Sequence, residues 1–126
     1  MTKDATGIGR AGEFLAAYIL ETHGIEVHHV DRAGADLWCK IRGSIITVQV
    51  KSCRQAKPTN KMSSVNYYQY LTKPCDAAWY CFVALDRQLV LMRPVSEVTT
   101  ATTRIAPVEF NEANQRRTIE EMVNSC

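Results

Sequence analysis

Four residues in the first half of the chain, Glu13, Asp36, Gln49 and Lys51, have types and spacing suited to chemistry on a phosphate. Side chains alternate faces along a strand, so Gln49 and Lys51 project to one side while Val48 and Val50 project to the other. A polar pair thus interrupts an otherwise apolar strand. If Asp36 joins that pair, with Glu13 close by on a packed helix, the result is a cluster of hard oxygens beside an ammonium. Such ligands suit magnesium, with manganese able to substitute. The ion polarises a phosphodiester and lowers the pKa of a water, and a lysine stabilises charge on the attacked phosphate. Glu13, Asp36 and Gln49 are the expected metal ligands, and Lys51 the expected catalytic cation.

Whether the four meet depends on the elements that carry them. Residues 10–23 are rich in helix formers, and Gly24 follows as a C-terminal stop. Gly12, Leu15, Ala16, Ile19 and Leu20 share one helical face, with Glu13 at its edge. Gly12 weakens the helix on its buried face, which makes sense if another backbone approaches closely there. Residues 25–30 are expected as a strand and 31–35 as a turn. Residues 36–41 and 44–50 are expected as a hairpin around Arg42-Gly43, the three strands forming the centre of a sheet. With Arg42 and Gly43 as the two turn residues, Asp36 stands opposite Gln49. A turn shifted by one residue sets it opposite Lys51, and a three-residue loop without a bulge turns it to the other face.

The rest of the chain reads as support. Residues 52–64 carry Arg54, Lys57 and Lys61 with Pro58 and Asn60, and are expected as an exposed mobile loop. A short helix over 65–73 ends at Pro74. Strands follow over 77–85 and 88–92, joined by a reverse turn at Asp86-Arg87. The start of a helix is expected over 94–99, and a second helix over 111–124 with Asn111 as its cap. Arg116 and Arg117 lie at helical spacing from Glu120 and Glu121, the pattern of surface ion pairs.

Composition narrows the class. A chain of 126 residues with 46% hydrophobic and 22% charged residues suits one domain over 1–126, outside the range of disordered chains. Its formal net charge of +2 is too slight to point to nucleic acid, so only the placement of charge argues for that. Cys39, Cys53, Cys75, Cys81 and Cys126 are odd in number and form no CxxC pair, against a disulfide framework or a zinc ribbon. His23, His28 and His29 lack zinc-finger spacing. Residues 1–10 hold no apolar core like that of a signal peptide and nothing is long enough to span a membrane, so an intracellular (cytoplasmic) protein is expected.

Gly12-Glu13 on the first helix, Gly34-Ala35-Asp36 entering a strand, and Val48-Gln49-Val50-Lys51-Ser52 together resemble the PD-(D/E)xK nucleases, over roughly residues 8–54. The helix, hairpin and lysine order is similar to that of archaeal Holliday-junction resolvases. The run 76–97, with Phe82-Val83-Ala84-Leu85 and Arg93-Pro94-Val95-Ser96-Glu97, is more similar to the intron-encoded homing endonucleases of the same superfamily. The resemblance implies Glu13 and Asp36 as metal ligands, Gln49 where the second carboxylate usually stands, and Lys51 as the catalytic lysine. It also implies an α/β, restriction-endonuclease-like core, a mixed sheet of four or five strands flanked by helices.

The function implied is metal-dependent DNA cleavage, most simply a homing-type double-strand endonuclease. The alternatives are a junction resolvase and a catalytically silent DNA-binding module. Arg54, Lys57 and Lys61 follow the catalytic strand directly, where a phosphate backbone would pass. Tyr67 and Tyr68 are candidates for stacking on DNA, although at least one of Tyr67, Tyr68 and Tyr70 is expected in the core. One site serves one strand, so a homo-oligomer, at least a dimer, is expected for duplex or branched DNA. Trp79, Tyr80 and Phe82 are candidates for its interface, equally explained by core packing.

Overall fold

Arg42 and Gly43 take φ values of 52° and 81°, the left-handed pair that a tight two-residue hairpin turn requires. Across that turn β2 (Ala35–Ile41) and β3 (Ser44–Cys53) fold back on each other, with Ile41 paired to Ser44 and Leu37 to Val48. Of the three registers the sequence leaves open, this is the first. The computed structural model describes residues 2–32 and 34–126, so Ala33 of the expected turn lies outside the described residues.

β1 (Glu26–Arg32) pairs antiparallel with the far side of β2. The far side of β3 pairs in parallel with β6 (Trp79–Ala84), to which β7 (Leu89–Pro94) adds antiparallel. The resulting five-stranded mixed sheet has the order β1-β2-β3-β6-β7. The first three strands therefore do not form its centre as expected. β1 is an edge, and β3 becomes central because it acquires a parallel partner far along the chain. Parallel partners need a long crossover, and this one is not a helix. It contains β4 (Lys57–Pro58) and β5 (Asn66–Leu71), which join β8 (Thr102–Ile105) in a second sheet of order β4-β5-β8.

Several sequence expectations change accordingly. The segment 65–73 is strand β5, not a helix. Part of the expected loop over 52–64 is strand, the end of β3 and then β4. The helix expected over 94–99 is one 3-10 turn, Val95–Glu97. The first helix, α1 (Thr2–Thr22), starts well before residue 10 despite Gly7 and Gly9, and β8 lies in a stretch where no element is expected from the sequence.

Two apolar cores follow from strand alternation. Leu37, Cys39, Val48, Val50, Cys81, Val83, Val90 and Met92 face Ala16, Ile19 and Leu20 of α1, and Ile119 and Met122 of α2 (Glu112–Asn124). Tyr80, Phe82 and Leu91 face the small sheet through Tyr68, Tyr70 and Ile105, with Phe110 beside them. Trp79, Tyr80 and Phe82 are buried within the chain and cannot serve as an interface. Burial pushes the Cys39 thiol up to about 12 and the Cys81 thiol higher than its ordinary value, which keeps both protonated and unreactive.

Helix ends and a sheet edge are closed by local bonds. Gly24 N–H reaches Glu21 O and Ile25 N–H reaches Leu20 O, the paired bonds of a helix C-terminus. Asn111 Oδ1 caps α2 by accepting from Asn114 N–H at 2.8 Å. Gln115 and Thr118 of α2 accept the Val90 and Met92 N–H groups along the outer edge of β7. Of the expected ion pairs on α2, Arg117 with Glu121 forms at 2.8 Å, with both side chains exposed. Among the described residues, no helix is long and apolar enough to cross a membrane.

Candidate active site

The backbone ladder between β2 and β3 runs from the turn to Leu37 and Val48, after which β3 continues to Cys53. The same register puts Asp36 opposite Gln49. Beyond the ladder's end the Val50 N–H is donated to a side chain, Asp36 Oδ2, at 2.8 Å. That bond satisfies a backbone donor that would otherwise be stranded, and it orients the Asp36 carboxylate over β3. Lys51 lies two residues beyond Gln49 on the same face, opposite Phe82 of β6. Asp36, Gln49 and Lys51 are each half-buried.

Glu13 comes from the other side of the sheet. Its neighbour Gly12 is buried against β3, so closely that a Cβ there would lie 2.8 Å from Ser52 Cβ and nearer still to Ser52 Oγ. A close approach is therefore present at Gly12, made by the Ser52 side chain and not by a backbone as expected. The contact holds the turn of α1 that carries half-buried Glu13 against Ser52 of β3. Where β2 and β3 are bonded, the sheet separates the helix side from the small-sheet side. The Ser52 hydroxyl, buried beneath Gly12, has no hydrogen-bond partner among the described residues.

Next to Lys51 a cleft of about 500 Å³ opens, lined by Ile8 and Gly9 of α1, Lys51, Arg54, Lys57, Tyr67 and Gln69 among others. A second hollow of about 420 Å³ continues past Arg54 and Gln55 to Ala11 and Asp86. The structure thus gathers Lys51, Arg54, Lys57 and Tyr67 around one channel. Lys61 is exposed in the turn before β5 and is not among the lining residues.

Tyr68 is placed elsewhere than expected. In β5 the even positions face inward, so Tyr68 is 1% exposed and packs edge-on to Phe110 with ring centroids 4.9 Å apart. Its hydroxyl donates to Asp86 Oδ1 at 2.7 Å, and burial together with that bond pushes its pKa up to about 12. Tyr68 belongs to the core and is not a surface for DNA. Gln69, unremarked in the sequence, lines the cleft instead. The alternation of Tyr67 and Gln69 was the available signal, and it is visible only once 66–71 is read as a strand.

Glu13, Asp36 and the amide of Gln49 offer hard oxygens, the donor set that magnesium or manganese favours. Among the described residues no group of three or more His, Cys, Asp and Glu side chains gathers to hold a metal.

No family model matches the chain, and no curated protein does. Among solved structures, the fold is similar to that of a bacterial homing endonuclease, I-Ssp6803I, with a TM-score of 0.70 and 14% sequence identity. The match covers 94% of this chain and 90% of that one. The chain therefore has a mixed α/β, nuclease-like fold.

Proposed function

We propose that the chain, as one domain over residues 1–126, is a magnesium-dependent DNA endonuclease of the homing type, cutting both strands of a duplex. The observation that carries this reading is Asp36 opposite Gln49 beside Lys51, at the end of the β2–β3 ladder and the mouth of a cationic cleft. The same residues are the basis for placing it with the PD-(D/E)xK nucleases. The fold shared with a homing endonuclease favours that type over a junction resolvase.

Glu13, Asp36 and Gln49 would hold the magnesium ion, with manganese as a substitute. When bound, the ion polarises the phosphate and makes a water a better nucleophile. Lys51 contributes positive charge to the phosphate oxygens as negative charge builds on them, the term that gains most in the transition state. The Val50 N–H fixes the orientation of Asp36, so this ligand is set before substrate arrives. In the reaction a water oxygen bonds to phosphorus, one P–O ester bond breaks, and the leaving oxygen takes a proton. The test is to challenge the protein with linear duplex and four-way-junction DNA, each with and without magnesium. Duplex cleavage only with magnesium is expected. Cleavage of junctions alone would identify a resolvase, and binding without cleavage in any metal would identify a silent module.

Arg54 and Lys57 line the channel beside Lys51, and Lys61 stands outside it, where all three would meet phosphates of the passing strand. Replacing the three with neutral residues is expected to weaken binding to all duplexes alike and to flatten its salt dependence by about one unit of slope per lost contact. An unaltered slope would make these residues ordinary surface.

Cutting two strands calls for two such sites. The chain is therefore proposed to act as a homo-oligomer, at least a two-fold dimer matching the antiparallel symmetry of duplex DNA. Light scattering at micromolar concentration is expected to give at least twice the chain mass. A monomer both free and on DNA would leave a nicking enzyme.

A further inference from the structure

We infer that the outer face of the small sheet reads base edges in the major groove of duplex DNA, through Gln69 and Arg104. The inference rests on the nuclease reading and extends it to the source of sequence preference. Tyr68, Tyr70, Thr103 and Ile105 turn into the core, so Tyr67, Gln69, Thr102 and Arg104 turn outward, with exposed Leu71 at the end of β5 beside Thr102. Gln69 pairs directly with Arg104 across β5 and β8, and Lys57 pairs with Tyr67 across β4 and β5. Paired residues of an antiparallel ladder share a face. The outer face therefore presents an amide beside a guanidinium, and an ammonium beside a phenol.

Three features match this face to duplex DNA. Its three strands hold the cations Lys57 and Arg104 and no acidic residue, so its charge complements phosphate. Its side chains are those that read bases by geometry: a guanidinium fork fits guanine O6 and N7, and a carboxamide fits adenine N6 and N7. Strands also enter the major groove in other proteins, and Tyr67 and Gln69, two strand residues or ~7 Å apart, match a span of two base-pair steps of ~3.4 Å each.

Continuity with the proposed cutting site completes the argument. Lys57, Tyr67 and Gln69 line the same cleft as Lys51, so a duplex whose phosphate lies at Lys51 runs directly onto this sheet. Arg104 is exposed, and no hydrogen bond or ion pair commits its side chain among the described residues.

The test is cleavage of a duplex pool randomised around one position, with magnesium, by the wild-type chain and by Gln69→Ala, Arg104→Ala and Arg104→Lys. The wild type is expected to select a sequence. Each variant is expected to lose on the order of tenfold to a hundredfold of that preference at one or two base pairs, with the others unchanged. Arg104→Lys should lose it while keeping the salt dependence, because lysine retains the charge but not the planar fork. Unchanged preference in all three variants overturns the inference, as does a wild type that cuts the pool without preference. Uniformly weaker binding of Arg104→Ala to every sequence, with one unit less salt slope, assigns Arg104 to phosphate and overturns its reading role. A wild type that neither cuts nor binds DNA refutes the nuclease reading itself, and the inference with it. Thermal melting of each variant checks that the sheet remains folded.

Discussion

Lys51→Ala is expected to lower single-turnover cleavage by at least about a hundredfold, while duplex affinity, measured in calcium, changes by no more than a few-fold. The asymmetry follows from position. Lys51 stands on the same strand face as Gln49, two residues from it and opposite Phe82, at the point where the β2–β3 ladder has ended. In the proposed mechanism its charge meets the reacting phosphate, where negative charge grows only in the transition state, whereas Arg54 and Lys57 are proposed to hold ground-state phosphates along the channel. One cation removed from several costs about one counterion's worth of affinity. Lys51→Arg sharpens the test, since a guanidinium keeps the charge but carries it in a planar fork of different reach. It should bind as the wild type does and recover little of the cleavage. Unchanged turnover in a folded Lys51→Ala protein would refute the assignment.

That position was legible because a short turn fixes a register. Arg42-Gly43 between two apolar runs named the hairpin, and a two-residue turn set Asp36 opposite Gln49. Once period-two alternation had put Gln49 and Lys51 on one face, Asp36 joined them in two of the three registers open to the sequence, and the two-residue turn selects the first. Local chemistry also named the Asn111 cap and the stop at Gly24.

What failed to show is what depends on distant partners. The run Asn66–Leu71 reads NYYQYL, and tyrosine suits either a core or a surface, so its alternation is hidden from any scale of polarity. β8 is four residues of Thr102–Ile105, polar at three of them, and is a strand only because β5 lies beside it. The position of β3 at the centre of the sheet rests on its pairing with β6, across a connection that holds β4 and β5. These same misreadings concealed Gln69 and put Tyr68 on the surface. A local pattern pointed to the proposed cutting site; the face proposed to read DNA needed tertiary structure to appear.

Gly12→Ala is the change for which helix propensity and packing disagree most. Alanine is the better helix former by about 1 kcal/mol, so on propensity alone α1 should become more stable. Packing predicts the reverse. The new methyl carbon would sit 2.8 Å from Ser52 Cβ, an atom fixed to the backbone of a central strand, so α1 or β3 must shift. Overpacking of this kind costs typically ~1–3 kcal/mol, enough to cancel the propensity gain and leave a net loss at the upper end. The larger effect is expected in cleavage. Any displacement of α1 from Ser52 carries Glu13 with it, and a misplacement of ~1 Å at a reacting centre lowers rate by about a hundredfold.

Two further variants separate the causes. At Gly7, on the same helix, an added Cβ meets nothing within 4 Å, so Gly7→Ala should stabilise by the propensity term alone. In Gly12→Ala with Ser52→Gly, both atoms that the methyl would strike are gone, along with the unpartnered Ser52 hydroxyl. Melting temperature and cleavage should recover together, a non-additive rescue expected only for residues in contact. A Gly12→Ala protein as stable and active as the wild type would mean that α1 is not held at Ser52, and would detach Glu13 from the proposed metal ligands.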